Sequence, residues 1–212
     1  MRGPAGSNAS ASVAVGFKPA PNWDISLGPE WSREQSNNQF VASVADDAAT
    51  ATFGRRYVFA NLDQKELSMA THVNVTFTPS LSLEAFARPF IGSGTFDGLK
   101  ELVRPRAYAF TRYDGVGTVE RDGDQIVIDP DGAGPAESFE VDDETFTTRS
   151  LRGSAVLRWE WRPGSTLFLV WQQQREMEDA RGDLRFRRDL RELGRARPDN
   201  VFVVKATWWL NP

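Results

Sequence analysis

The chain has 212 residues, room for one or two domains, and sets 25 Lys and Arg against 29 Asp and Glu for a net charge of −4. That weak acidity argues against general nucleic-acid binding. With no cysteine there are no disulfides, thiolate chemistry or Cys-metal sites, and a single histidine, His72, excludes multi-His metal sites and most His-based relays. No window holds the roughly eighteen consecutive apolar residues of a transmembrane helix. The first residues, MRGPAGSNASASVAVG, lack the apolar core of a signal peptide. The chain therefore reads as either not exported or a piece of a longer one.

Residues 1–9 are small and polar and read as disordered. After them come seven runs that alternate with a period of two, the mark of strands. The first is Ser10–Lys18, with Val13, Val15 and Phe17 on one face, followed by a turn at Pro19–Asn22. The second, Trp23–Arg33, sets Trp23, Ile25, Leu27 and Trp31 against Asp24, Ser26 and Glu30. An excursion, Glu34–Lys65, holds weaker strand-like runs at Gln39–Ala45 and Thr50–Ala60 around Asp46-Asp47, and reads as a protruding hairpin rather than two more spanning strands. The third strand, Glu66–Thr78, puts Leu67, Met69, Val73, Val75 and Phe77 opposite Ser68, His72 and Asn74; Pro79-Ser80 turns it. The fourth, Leu81–Ile91, opposes Leu81, Leu83 and Ala85 to Glu84 and Arg88.

A second excursion, Gly92–Thr147, is expected to contain a helical turn, with Phe96, Leu99 and Val103 at i, i+3, i+7, and short β pieces at Ala107–Tyr113 and Gln125–Ile128. The hairpin Leu151–Gln174 has the clearest pattern in the chain. Its first arm places Leu151, Ala155, Leu157, Trp159 and Trp161 on one face and Arg152, Arg158 and Glu160 on the other. Arg162-Pro163-Gly164-Ser165 turns it, and Leu167, Leu169 and Trp171 continue the apolar face. A third, Arg-rich excursion, Arg175–Asn200, has Phe186, Leu190 and Leu193 at helical spacing. Val201–Asn211 is the last strand.

Connections after strands one, three and five are short; those after two, four and six are long and polar. Arms of about ten residues suit a tilted strand crossing a bilayer. The predicted fold class is therefore all-β, an antiparallel up-and-down transmembrane β-barrel with short periplasmic turns and long outer loops, located in a bacterial outer membrane. The barrel domain is set at 10–212. Seven is an odd number for such a barrel, which points to a C-terminal fragment of a larger one. Phe17, Trp23, Phe77, Trp159, Trp161 and Trp208, with Trp171, are expected to face lipid or form an aromatic girdle. Glu30, His72, Glu84, Arg88, Arg152, Arg158, Glu160 and Lys205 are expected to form a structural polar network in the lumen. The competing picture is a soluble β-barrel or sandwich, with the apolar face inside and the charges in solvent.

Three stretches carry a resemblance: ATATFGRRYVFANLDQKELSM (Ala49–Met69), LRGSAVLRWEWRPGSTLFLVWQQQR (Leu151–Arg175) and DNVFVVKATWWLNP (Asp199–Pro212). They resemble the C-terminal barrel, a domain of unknown function, of bacterial carbohydrate-binding family-nine-like proteins. The similarity runs from about Phe17 onward. It implies a barrel that follows an N-terminal β-sandwich resembling a xylanase carbohydrate-binding module. That sandwich is not in this sequence, so carbohydrate contact is expected only through an upstream domain, and no catalytic residue is carried over.

Glu30, Glu84 and Glu160 have the chemistry of a glycosidase acid–base pair, but neutralising Arg88, Arg152 and Arg158 across strands is the favoured role. Asp129-Pro130-Asp131-Gly132 opens like a calcium loop without its later ligands and reads as a turn. Gly92-Ser93-Gly94 lacks the frame of a nucleophile elbow. His72, without a partner acid at an obvious spacing, is expected to hydrogen-bond in the lumen. Trp208-Trp209-Leu210 suits recognition by barrel-insertion machinery, although an Asn-Pro ending departs from the commonest terminal pattern. Arg187, Arg188 and Arg191 are candidates for contact with lipopolysaccharide phosphate, but the favoured reading is a solvated loop whose arginines pair with Glu176, Glu178, Asp179, Asp183, Asp189 and Glu192. No cofactor, metal site or nucleic-acid partner is expected. The function expected is that of an outer-membrane anchor or conduit, in glycan-related binding or uptake, not an enzyme by itself; the alternatives are an outer-membrane carbohydrate-active hydrolase and a soluble ligand-binding barrel.

Overall fold

The computed structural model describes residues 6–210. It is all-β, with antiparallel sheets and, among the described residues, one α-helix and two short 3-10 turns. The main sheet contains β1 (Gly6–Ser12), β2 (Val15–Phe17), β3 (Trp23–Ala45), β4 (Arg55–Thr78), β5 (Leu81–Leu102), β6 (Phe110–Arg112), β10 (Phe146–Arg162), β11 (Ser165–Asp179) and β12 (Asp199–Thr207). Its order is β1-β3-β4-β5-β10-β11-β12, with β2 beside β3 and β6 beside β5. A second sheet is built from β7 (Thr118–Asp122), β8 (Gln125–Asp129) and β9 (Phe139–Asp142). The helix, α1, spans Phe186–Arg195.

Each long strand pairs with its sequence neighbour through short turns at one end, as the meander expected from the sequence requires. Among the described residues β1 and β12 do not pair, so the sheet has two free edges and no closed barrel is formed. The row Trp23–Val75–Leu83–Leu157–Leu169–Val204 runs straight across the hydrogen bonds. β3 starts on this row, whereas β4 runs past it to Thr78 and β10 to Arg162. The ends drift along the register from hairpin to hairpin, as in tilted strands.

Four expectations change. Gly6–Ala9, expected to be disordered, extend β1 against Arg33–Ser36; residues 1–5, and Asn211 and Pro212, lie outside the described residues. The first strand is split into β1 and β2, which share one register on β3. The gap faces Pro29, which has no N–H to give to the ladder, although its carbonyl still accepts from Val13 N at 3.1 Å. The excursion Glu34–Lys65 is not a separate hairpin but the unbroken continuation of β3 and β4, bulged near Ser36–Gln39 and Phe40–Ala42. The helical turn over Phe96, Leu99 and Val103 is absent: β5 runs through to Leu102. Its three-residue spacing comes from a bulge. Asn61 pairs with Asp97 but Phe59 with Lys100, so an extra residue enters β5 beside Gly98, at φ +57°. The bulge switches the alternation, and Phe96 and Leu99 reach the same core.

The two faces of the main sheet exchange polarity at one level. Up to the row Trp31–Leu67–Ile91, one face is apolar on β3, β4 and β5. The next row on that face is Arg33–Lys65–Ser93–Thr147, with Arg33 and Lys65 paired to Asp63 at 2.7 and 3.3 Å. The opposite face carries Glu30, His72, Glu84 and Arg88 below this level. Above it, that face carries Val58, Ala60 and Leu99, which join Tyr113, Ile126, Ile128 and Val141 in the main buried core. The small sheet β7–β9 is thus packed on the upward continuation of the polar face.

Above the level, Arg56 ties this core to its rim, donating to Asp46 at 2.5 Å and Glu101 at 2.6 Å. Tyr113, fully buried, donates to Glu101 at 3.2 Å, and burial pushes its phenol above the ordinary range. The hydrogen bond from Arg56 holds the Asp46 carboxyl below the ordinary carboxylate range. A carboxylate held low stabilises the fold at every pH above its unfolded value, about 3.9, and that contribution is lost as pH falls through the folded value. Amide protection in β7–β9 is therefore expected to drop below about pH 4, and Asp46→Asn to lower protection at neutral pH and flatten this dependence. Hydrogen exchange as a function of pH measures both.

Candidate functional site

The predicted lumenal residues do share a face. Across β3, β4, β5, β10 and β11, directly opposed pairs include Ser26–His72, His72–Phe86, Phe86–Ser154 and Ser154–Gln172, with Arg88 across from Arg152. Glu30 and Arg88 approach to 3.6 Å, and Arg88 also donates to Ser68 at 3.4 Å. Glu160 accepts from Arg158 at 3.2 Å and from the Gly164 amide in the turn at 3.0 Å. Lys205 sits 6.0 Å from the Phe168 ring. His72, expected to hydrogen-bond, instead has its ring centroid 4.8 Å from that of Phe86.

Two of the three candidate acids, Glu30 and Glu160, are thus engaged by arginines, and Glu84 stands opposite Val156. Among the described residues no cluster of acids and His suited to a metal ion is present. The calcium-like stretch is a turn: Asp129 Oδ1 accepts from the amides of Asp131 and Gly132. A shallow cavity of about 290 Å³ on the polar face is lined by Phe86, Arg152, Gln172, Gln174 and Asp199.

The apolar face is built differently. Leu157 and Leu167 are half-buried and Val204 is exposed; none of the three belongs to the buried core. Trp23, Phe17, Phe77 and Trp159 are all exposed near the short turns. Trp161 lies between Trp159 and Trp208, at centroid distances of 6.5 and 5.4 Å. At the other end Trp171 stacks on Phe202 and donates Nε1–H to Asn200 at 3.0 Å. Each tryptophan among them pairs an apolar ring body with a polar N–H. Trp208 and Trp209 continue past β12 and are exposed; the Asn-Pro ending lies outside the described residues.

The Arg-rich excursion forms the predicted helix, and its anchorage was not foreseen. Arg149, fully buried, points from β10 on the side of Leu151 and Leu157. It donates to Asp189 of α1 at 2.9 and 2.8 Å and to Asp179 at 2.8 Å, with Glu192 3.4 Å away. Asp189, also fully buried, accepts from Arg188 and from the Arg185 amide. Arg175 donates to the carbonyls of Gly194 and Ala196, closing the C-terminal end of the helix. The signals were present: a charge on the apolar side of a strand, and a carboxylate in the apolar stripe of a helix. Of the three candidate lipopolysaccharide contacts, Arg188 is committed to Asp183 and Asp189, while Arg187 and Arg191 are exposed and form no ion pair among the described residues.

Comparison with models of known protein families gives no match, and comparison with curated proteins gives none.

Removing one partner of a buried ion pair typically costs about 3–5 kcal/mol because the other charge is left uncompensated. Asp189→Ala is therefore expected to release α1. Trypsin should then cut within Arg181–Arg197 much faster than in the parent chain, with the β10–β11 hairpin surviving as a resistant fragment. Limited proteolysis with mass spectrometry reads this directly.

Proposed function

We propose that the main sheet is the wall of an outer-membrane β-barrel, with the face of Leu157 and Val204 toward lipid and the face of Arg158 and Lys205 toward a wet lumen. The observation that carries this reading is the exchange of polarity across both faces at the level of Trp31, Leu67 and Ile91. A soluble sandwich keeps one face apolar along its whole length. A wall that leaves the bilayer loses its reason to be apolar outside, and the opposite face becomes free to build an ordinary core. The apolar run on β10 from Leu151 to Trp161 is about 33 Å long at roughly 3.3 Å per residue. At a tilt of about 40° that gives a band near 25 Å, the height of a lipid-facing band.

Anchorage fits better than an open conduit, because β7–β9 is packed over the outer continuation of the lumenal face. The engaged Glu30 and Glu160 disfavour a hydrolase in the lumen. The resemblance to the barrel of the carbohydrate-binding family-nine-like proteins supports a role as membrane base for a glycan-related domain, with barrel-insertion machinery as a transient partner.

The cysteine-free chain suits a direct test. An environment-sensitive dye on Leu157→Cys, Leu169→Cys or Val204→Cys, in vesicles, is expected to report an apolar medium, and on Arg158→Cys or Lys205→Cys an aqueous one. The parent chain is expected to float with the vesicles in a density gradient. A chain that stays in the aqueous phase, with the dye pattern reversed, would make it a soluble β-protein.

A further inference from the structure

The Arg149 clamp sets α1 at the level where the apolar face ends. At 3.6 residues per turn, Phe186, Leu190 and Leu193 lie on one stripe of α1, with Arg187 and Arg191 along its flank. Leu193 is buried, but Phe186 is 53% and Leu190 41% exposed. Between this stripe and the sheet lies a cavity of about 370 Å³, walled by Phe186 and Leu190 and by Leu67, Met69, Pro89 and Ile91 at the top of the apolar face. Arg187, Arg191 and Arg195 of α1 are exposed and form no ion pair among the described residues; Arg187 and Arg191 directly follow the slot-lining Phe186 and Leu190 in the chain, and the slot is continuous with the apolar band. The remaining nearby cations do not compete for the same role: Arg149, Arg181, Arg185 and Arg188 are all held by carboxylates.

We propose that this is a binding site for lipopolysaccharide, with an acyl chain in the slot and a lipid phosphate on Arg187 and Arg191. The proposal rests on the lipid-facing reading of the apolar face. It narrows the Arg-rich excursion to two contacts, because Arg188 is consumed by the clamp. The pairing is one of charge and shape. Guanidinium forks match phosphate oxygens, and a helix with an apolar stripe flanked by arginines is suited to lie in a membrane interface. Neither half suffices: a solvated Arg pair binds phosphate weakly, and an apolar slot alone does not choose among lipids.

The test uses the full chain, refolded with defined rough lipopolysaccharide and washed in detergent, with bound lipid counted by native mass spectrometry. Arg187→Gln/Arg191→Gln is expected to retain at least tenfold less lipopolysaccharide, and Leu190→Trp, which fills the slot, to lose it as well. Arg162→Gln, at the opposite end of β10 from Arg149, is expected to bind as the parent does. Enzymatically dephosphorylated lipopolysaccharide is expected to bind the parent no better than the intact lipid binds the double variant. Unchanged retention in the double variant overturns the proposal, as does equal competition by phosphatidylglycerol vesicles, which would make the site a general anionic-lipid contact. The dye pattern at Leu157 and Arg158 separates the two ideas. If it remains lipid-facing while retention is unchanged, only this inference fails; if it reverses, the wall reading fails and this site falls with it.

Discussion

The structure depends on the strict two-residue alternation of a β-strand, maintained across a sheet whose longest strands are continuous for more than twenty residues. Because directly opposed residues share a face, the chemistry of each row is fixed jointly by every strand that crosses it. The row Trp31–Leu67–Ile91 ends the apolar surface on three strands at once. The bulges at Ser36–Gln39 and Gly98 lie five and seven residues beyond it. A bulge inserts one residue and turns the following side chains to the other face, so the register above the row can be reset without disturbing the wall below. That reset brings Phe96 and Leu99 onto the same side and makes room for the β7–β9 sheet.

The Arg149 cluster solves a different problem. On the row Trp31–Leu67–Ile91 the next residue across is Arg149 of β10, a charge placed among apolar neighbours where α1 packs and excludes water. A guanidinium held by Asp189 and Asp179 satisfies both the strand and the helix. Such a cluster contributes specificity of position more than net stability, because desolvating several charges offsets much of their attraction. Its consequence is geometric: the helix is fixed at one height and one rotation, with Phe186 and Leu190 toward the apolar band and Arg187 and Arg191 beside them.

Much of this was legible in the sequence. Alternation alone located the hairpins Leu67–Ile91 and Leu151–Gln174 and the short turns at Pro79-Ser80 and Pro163-Gly164, since these signals are local. It also grouped Glu30, His72, Arg88 and Arg158 on one face, because parity along a paired strand is set by the covalent chain. The helix over Phe186, Leu190 and Leu193 was visible for the same reason.

What the tertiary structure decided is what depends on distant partners. The spacing of Phe96, Leu99 and Val103 has two physical causes, a helical turn or a bulged strand, and only the pairing of β5 with β4 chooses between them. Gly6–Ala9 carry no apolar pattern, yet become a strand because β3 offers them an edge. Arg149 and Asp189 lie forty residues apart, so nothing local says that one neutralises the other. The sequence by itself determined which side chains share a face. Only the folded sheet determined at what height the two faces exchange polarity, because that level is a property of rows, and a row is made of residues the chain does not join.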